Sequence, residues 1–406
     1  MVALGVFILT LLGLPVLACA TYLVVLAIAA APPSPPSPPG APRGDERAPG
    51  LRFDLVVPAH DEEQGIGATI ASLRALDYPK DRYRILVVAD NCTDATARVA
   101  AEAGALVLER RDPLRRGKGY ALARAFARVE ADAVADVVVV IDADTTASPN
   151  LLRAFARRFE AGASAVQASY GVRDPDASWR ARLMRIALAV FHGLRSLGRE
   201  RLGLSTGLRG NGMGFAREVL RRVPADAFSI VEDVEYGIKL AEAGYRVGYV
   251  PEAEVLGDMA PRGPAAATQR RRWEGGRAAI ARAHAPRLVR EGIARRDAIR
   301  LDLAMDLLVP PLTSLTLAAL LGAAAALIWH LALGGSATVL APWLLSMVFL
   351  TAHVLRGAAL SGAGPRGLLT LLWAPVYVAW KVGLRLRRSP RGTQEWIRTA
   401  RDGGRS

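Results

Sequence analysis

Apolar and polar positions divide the chain into three regimes. Residues 1–31 carry no charged side chain and form an apolar run longer than the ~20 residues a helical span needs. From residue 51 to about residue 291, short apolar runs alternate with amphipathic stretches. Long apolar segments return at 307–333 and 337–355, with a shorter one at 368–380.

In the middle regime, 53–58 (FDLVVP), 83–89 (YRILVVA) and 137–141 (VVVVI) read as short, fully buried strands. Each is followed by polar residues and then a helical pattern. This alternation predicts an α/β domain built on a mainly parallel sheet with helices on both faces. Ligands of such sheets sit beyond the carboxyl ends of the strands. The sequence places acids there: Asp61 to Glu63, Asp90, Asp142 and Asp144.

The two ends read as membrane segments. A cleaved signal peptide competes for residues 1–31, with small-residue stretches near Cys19 and Ala30. The start lacks the Lys or Arg of a signal peptide and the apolar run is too long, so an uncleaved anchor is expected. Residues 32–50 (PPSPPSPPGAPRGDERAPG) form a semi-rigid Pro-rich linker. The expected organisation is an anchor (1–31), the linker (32–50), the α/β domain with interfacial helices (51–300), C-terminal membrane or interfacial segments (301–390) and a basic tail (391–406). The loop at 330–338 lacks Lys and Arg and belongs outside, whereas Arg356 and Arg366 place the next loop inside. A full third span at 368–380 would then carry the basic tail outward. Its parity stays open.

Charge and cysteine content narrow the partners. The formal charge of +14 invites a nucleic-acid reading, but much of the excess lies in Arg270–Arg272, Arg295–Arg300 and residues 385–391, beside apolar segments. That placement fits membrane lipids rather than nucleic acid. The only cysteines, Cys19 and Cys92, cannot build a disulfide framework or a thiolate metal site.

Local patterns supply candidate chemistry, each with a plainer reading beside it. Asp142-Ala143-Asp144 after a valine strand offers oxygen ligands to a hard cation, though such pairs also occur in solvated turns. Asp90-Asn91 either contacts a nucleoside or makes an Asx-turn, with Thr93 or Asp94 capping the next helix. Lys118, bracketed by Gly117 and Gly119, opens a helix over 120–130 and either faces a diphosphate or sits in solvent. Ser229 with Glu232 reads as a capping box, and Asp233 as a general base. Gln269, Arg272 and Trp273 share one helical face, toward a ligand or the membrane interface.

Taken in order, VVPAHDEE, ADNCTD, RGKGYAL, IDADTT, GNGMGFA, IVEDVE and QRRRW resemble the family 2 glycosyltransferases. The likeness is to the membrane-bound branch with cellulose, hyaluronan and poly-N-acetylglucosamine synthases, and covers residues 51–273. It implies a GT-A type nucleotide-sugar-binding domain flanked by N- and C-terminal transmembrane helices. It further implies donor contacts from His60, Glu62, Asp90, Lys118, Asp142 and Arg272, and Mg²⁺ or Mn²⁺ on Asp142 and Asp144. By the same resemblance Asp233 is the catalytic base of an inverting transfer. Gly210, Asn211, Gly212, Glu232, Gln269 and Trp273 line the acceptor side. The implied partners are a nucleotide-sugar, of the UDP class, a saccharide or lipid-linked acceptor, membrane lipids and an export partner.

Two departures stand out: His60 replaces a frequent tyrosine, and the membrane part is short beside that of the polymer-exporting synthases. Exopolysaccharide synthesis at the cytoplasmic membrane face is the expected role, with single-sugar transfer to a lipid or polyprenyl acceptor as the alternative. A non-catalytic nucleotide-binding membrane scaffold would predict a broken metal pair or a missing base, and both are intact.

Overall fold

The structure is a computed structural model that describes residues 2–30, 50–257 and 264–376, with 378 and 383. For 264–274 and 366 it describes the backbone alone. The Pro-rich linker, apart from Gly50, and the basic tail lie outside the described residues.

The strands are β1 (Phe53–Ala59), β2 (Tyr83–Asp90), β3 (Leu106–Arg110), β4 (Val137–Val140), β5 (Thr145–Ala147), β6 (Ala165–Val172), β7 (Met213–Ala216) and β8 (Val247–Gly257). They form one sheet in the order β3-β2-β1-β4-β7-β6-β8-β5. Strands β3, β2, β1 and β4 are mutually parallel, and β6 pairs parallel with β8. Strand β7 runs antiparallel between β4 and β6, and β5 antiparallel along β8.

The strands read as apolar because both faces are covered. Phe53, Leu55, Val57, Val137 and Val139 point into a core shared with Ile66, Ile70 and Phe155. Their neighbours Val56, Val138 and Val140 point the other way, onto Ala121, Ala125 and Leu240. The period of two along each strand therefore feeds two cores. The fold is the α/β, GT-A-like arrangement expected, with helices on both faces.

Among the described residues, three helices are long and apolar enough to cross a membrane: Val2–Ala29, Leu312–Leu333 and Ala337–Leu360. Pro310 and Pro311 separate the second from a short helix, Ala298–Leu308, so residues 307–311 are not part of that span. The described part of the third segment, Gly367–Val376, is apolar but extends only about 15 Å. That is half a hydrocarbon thickness.

Candidate active site

Strand register assembles the site. Because Val140 pairs with Met213, the residues just beyond them, Asp142 and Asn211, lie side by side. Gly212 N–H donates to the Val140 carbonyl at 2.9 Å, and Asp142 N–H donates to Asn211 Oδ1 at 3.1 Å. Asn211 Nδ2 donates in turn to Thr145 Oγ1 at 2.8 Å. Asn211 is fully buried and holds the turn that carries both aspartates. Gly212 has φ +67°, and a Cβ there would lie 2.8 Å from Val255 Cγ2, so this position admits only glycine without repacking.

Lys118 joins this strand end to the helices. It begins the helix Lys118–Asp132, and its Nζ donates to Asp142 Oδ1 and to the Gly210 carbonyl, both at 2.5 Å. Glu232 Oε1 lies 3.8 Å from the same nitrogen. A Cβ at Gly210 would sit 3.5 Å from Asp233 Oδ2 and 3.7 Å from Lys118 Nζ. Lys118, Asp142, Gly210, Glu232 and Asp233 thus converge, although they come from four separate stretches of sequence.

The capping box does not form. The helix Glu232–Glu242 starts after Val231 with no side-chain cap. Glu235 rather than Glu232 reaches back, its Oε2 accepting the Ser229 N–H at 3.3 Å. Glu232 sits at the first helical position, too early to serve as the third residue of a box. It turns instead toward Lys118.

Burial sets the protonation pattern. Glu232 and Asp233 border an apolar pocket lined by Leu122, Phe126, Leu208, Met213 and Phe215. Loss of water there, opposed by Lys118 and reinforced by Asp233, pushes the Glu232 carboxyl up to about 7. Burial also holds Asp233 above its ordinary value, against its helical N–H contacts and Lys118. Asp142 is raised by burial and by the Asp144 charge, despite Lys118. Burial works against the Lys118 charge, but Asp142 and Glu232 outweigh it and hold the ammonium above its usual value.

Asp142 pairs with Lys118, and Arg173 Nη2 donates to the Asp144 carbonyl at 2.6 Å. Asp142 and Asp144 are both part-exposed, at the carboxyl end of β4. This donor set, acidic and all oxygen, fits a hard divalent cation.

The remaining predicted donor residues form a separate, interlocked group at the ends of β1 and β2. His60 Nδ1 lies 2.7 Å from the Asp90 carbonyl, and Glu62 N–H donates to Thr96 Oγ1 at 2.7 Å. Asp90 is fully buried, with Oδ1 accepting from Arg110 Nη1 at 2.6 Å. Asn91 (φ +51°) accepts the Asp112 N–H at 2.8 Å, so it ties β2 to the loop after β3 instead of closing a local Asx-turn. Asp94 Oδ1 accepts the Thr96 N–H at 2.9 Å, but the helix Thr96–Glu102 starts after Ala95 with no side-chain cap, so neither Thr93 nor Asp94 caps it. His60, Asp61 and Cys92 can bring one ligand atom each within 4.8 Å of one another. Gln269, Arg272 and Trp273 lie in the helix Pro264–Arg295, and their side chains lie outside the described residues.

The sequence reading overlooked a second charged group, in which Arg195, Arg199 and Arg209 meet Asp302 and Asp306. A signal was present: Arg195/Arg199 and Asp302/Asp306 are both four apart on helices, which puts each pair on one face.

The chain is similar to known proteins. A family model described as Glycosyltransferase like family 2 matches residues 49–276. A probable glycosyltransferase of Bacillus subtilis is 26% identical over 213 residues, 50% of this chain and 49% of that protein. The β-monoglucosyldiacylglycerol synthase of Synechocystis is 30% identical over 233 residues, 55% of this chain and 47% of that one. The chain therefore spans about half the length of these two relatives. Among solved structures, a mannosyltransferase from Pyrobaculum calidifontis in complex with GDP-Man and Mn²⁺ is 19% identical, with a TM-score of 0.49. The match covers 86% of this chain and 98% of that one.

Proposed function

From the premise that this chain belongs to the Glycosyltransferase like family 2, we propose that it moves a sugar from a nucleotide-sugar, of the UDP class, to an acceptor hydroxyl. The observation that carries the reading is the convergence of Asp142, Lys118, Glu232 and Asp233 around Gly210. A site with an acidic donor side and a desolvated carboxylate opposite is what such a transfer requires.

Asp233 is the general base. Its raised proton affinity suits it to take the acceptor's hydroxyl proton as the oxygen attacks the anomeric carbon. The new C–O bond forms on the face opposite the breaking bond to phosphate, so configuration inverts. The bonding pair leaves with the nucleotide diphosphate. Lys118 pins Asp142 and the Gly210 carbonyl and so fixes the floor on which the donor lies. Asp142 and Asp144 would hold Mg²⁺ or Mn²⁺, which when bound offsets charge on the donor diphosphate.

The proposed setting is the cytoplasmic membrane face, where nucleotide-sugars are available, and the proposed product is an exopolysaccharide passed to an export partner. Transfer to a lipid acceptor is a second reading. It is favoured by the direct join between the α/β domain and the first apolar helix, where Tyr22 Oη donates to Asp302 Oδ1 at 2.7 Å.

The test is the full chain, purified in lipid, assayed against a panel of UDP- and GDP-sugars with Mn²⁺ or Mg²⁺. Transfer is expected with one donor class, abolished by EDTA and restored by the metal. D233N should lower the rate ~10²–10⁴-fold; a variant near wild-type speed removes Asp233 as the base. A ladder of labelled products marks polymer synthesis, and one discrete species marks single transfer.

A further inference from the structure

The proposed reaction assigns no role to the second group of charges. Arg199 reaches Asp302 Oδ2 at 2.8 Å and Asp306 Oδ1 at 2.7 Å, and Arg277 reaches Asp306 Oδ2 at 2.9 Å. Arg195 and Arg209 stand 3.6 and 4.0 Å from Asp306, outside hydrogen-bond reach. Their side chains are only 3% and 6% exposed, and the buried Nε–H of each has no partner. Four guanidinium groups therefore share two carboxylates.

An excess of buried positive charge is unfavourable unless something answers it. Burial, together with repulsion from Arg199 and Arg277, outweighs the pull of Asp306 and lowers both Arg195 and Arg209 to about 10. His192 adds no charge: burial and the neighbouring Arg209 and Arg195 keep its imidazole well below the ordinary value. Its buried Nδ1 is likewise without a partner.

Geometry gives the group a direction. The guanidinium carbons of Arg195, Arg209 and Arg277 lie 4.8, 5.1 and 5.7 Å from the centre of the Phe191 ring. Phe191 is part-exposed and belongs to a π-helical stretch, Ala189–Leu194, of the kind that often marks functional sites. Arg209 directly precedes Gly210, which adjoins Asp233. On the other side, Arg199 Nη2 donates to Tyr22 Oη of the first apolar helix at 2.6 Å. The helix carrying Asp302 and Asp306 leads through Pro310 and Pro311 into the second.

A purely structural clamp between domain and membrane helix explains part of this. Tyr22, Arg199 and Asp302 already close that clamp, yet the unpartnered donors of Arg195 and Arg209 add nothing to it. What remains is the unpartnered Nε–H of Arg195 and of Arg209, on guanidinium groups otherwise held by Asp306 and, for Arg209, by the Thr206 carbonyl at 3.1 Å; Arg209 is next in sequence to Gly210, which adjoins Asp233. Guanidinium groups arranged this way match phosphate oxygens.

We propose that Arg195, Arg209 and Arg277 form an anion subsite for a phosphate of the acceptor, and that the acceptor is a phosphate-bearing amphiphile presenting its hydroxyl to Asp233. The inference rests on the transfer reaction proposed above, in its lipid-acceptor reading, and names the acceptor class.

The experiment uses the full chain in phosphatidylcholine nanodiscs with the active donor. Donor hydrolysis to water by the wild type, with no acceptor added, tests the transfer reaction alone. Phosphatidylglycerol (phosphate and hydroxyl), diacylglycerol (hydroxyl only) and inorganic phosphate are then added separately. Phosphatidylglycerol should have a KM ~10–100-fold below that of diacylglycerol, and inorganic phosphate should compete with it. R277Q should raise the KM for phosphatidylglycerol by a similar factor, more than the KM for donor, and R277K should recover part of the loss. Arg277 is part-exposed and Asp306 keeps Arg199 without it, so the variant should fold, as circular dichroism will show. Equal use of the two lipids, phosphate binding without lipid discrimination, or a rise confined to the donor KM would each overturn the subsite. If the wild type transfers sugar neither to water nor to either lipid, the transfer reading fails. Thermal stabilisation by phosphatidylglycerol over diacylglycerol still judges the subsite in that case.

Discussion

Glu232 shows how one desolvated carboxyl couples stability to pH. Folded, it keeps its proton up to about pH 7; unfolded, it releases it near 4.5. Between those values the folded chain binds more protons than the unfolded one, so stability falls as pH rises through the window. Asp142 and Asp233 are shifted in the same sense and add to the slope. E232Q removes the Glu232 share, and denaturation midpoints measured across the window should decline less steeply than in the wild type. An unchanged slope would mean that Glu232 is hydrated in the folded chain. The same desolvation sets the acid limb of activity. Asp233 must be ionised to accept a proton, so the rate should rise with pH through a pKa above the ordinary aspartate value of 3.8. In D233E the limb should move while the fold persists.

At the scale of elements, how much the sequence revealed depended on how each element is stabilised. Strands β1, β2 and β4 were legible because each buries both faces and is written in consecutive valine, leucine and isoleucine. The helix from Lys118 was legible from its flanking glycines and its amphipathic spacing. Strand β7 was not, since MGFA is short, has no β-branched residue and becomes a strand by slotting between β4 and β6. With it went the contact by which Asn211 holds the turn after β4. The aspartate pair, Lys118 and the Glu232-Asp233 pair could be picked out as candidates, but their meeting at Gly210 depends on that antiparallel insertion.

The helix bearing Lys118 also yields a packing test. A Cβ at Gly119 would lie 2.2 Å from the Ala227 carbonyl oxygen, a backbone atom that cannot swing aside. G119A should therefore cost ~1–3 kcal/mol and displace Lys118, lowering both the melting temperature and donor affinity. In the helix Ile66–Arg74, Gly67 has only Val99 Cγ1 at 3.7 Å. G67A should stabilise by ~0.4–1 kcal/mol. If both variants melt alike, the close approach at Gly119 is not real.

Across the whole molecule, the apolar helices bear on the proposed orientation of the site to a membrane. Val2–Ala29 packs against the helix Arg195–Arg201 so closely that a Cβ on Gly198 would lie 2.3 Å from the Leu26 carbonyl oxygen. The same end is held by Arg356, whose Nη2 donates to the Ala30 carbonyl at 2.9 Å. That cation lies near the C-terminal end of the helix, where the carbonyls lack helical partners. Leu312–Leu333 and Ala337–Leu360 form a hairpin whose short connection, 334–336, has no Lys or Arg. Arginine at the Arg356 end and none at the connection favour an inward catalytic domain and an outward hairpin tip. In a background with Cys19→Ala and Cys92→Ser, a cysteine at Ser336 should react with a membrane-impermeant maleimide in intact cells. One at Ala101, exposed on the α/β domain, should react only after permeabilisation. The reverse pattern would put the acidic cluster on the side without nucleotide-sugars, and the proposed transfer would lose its donor.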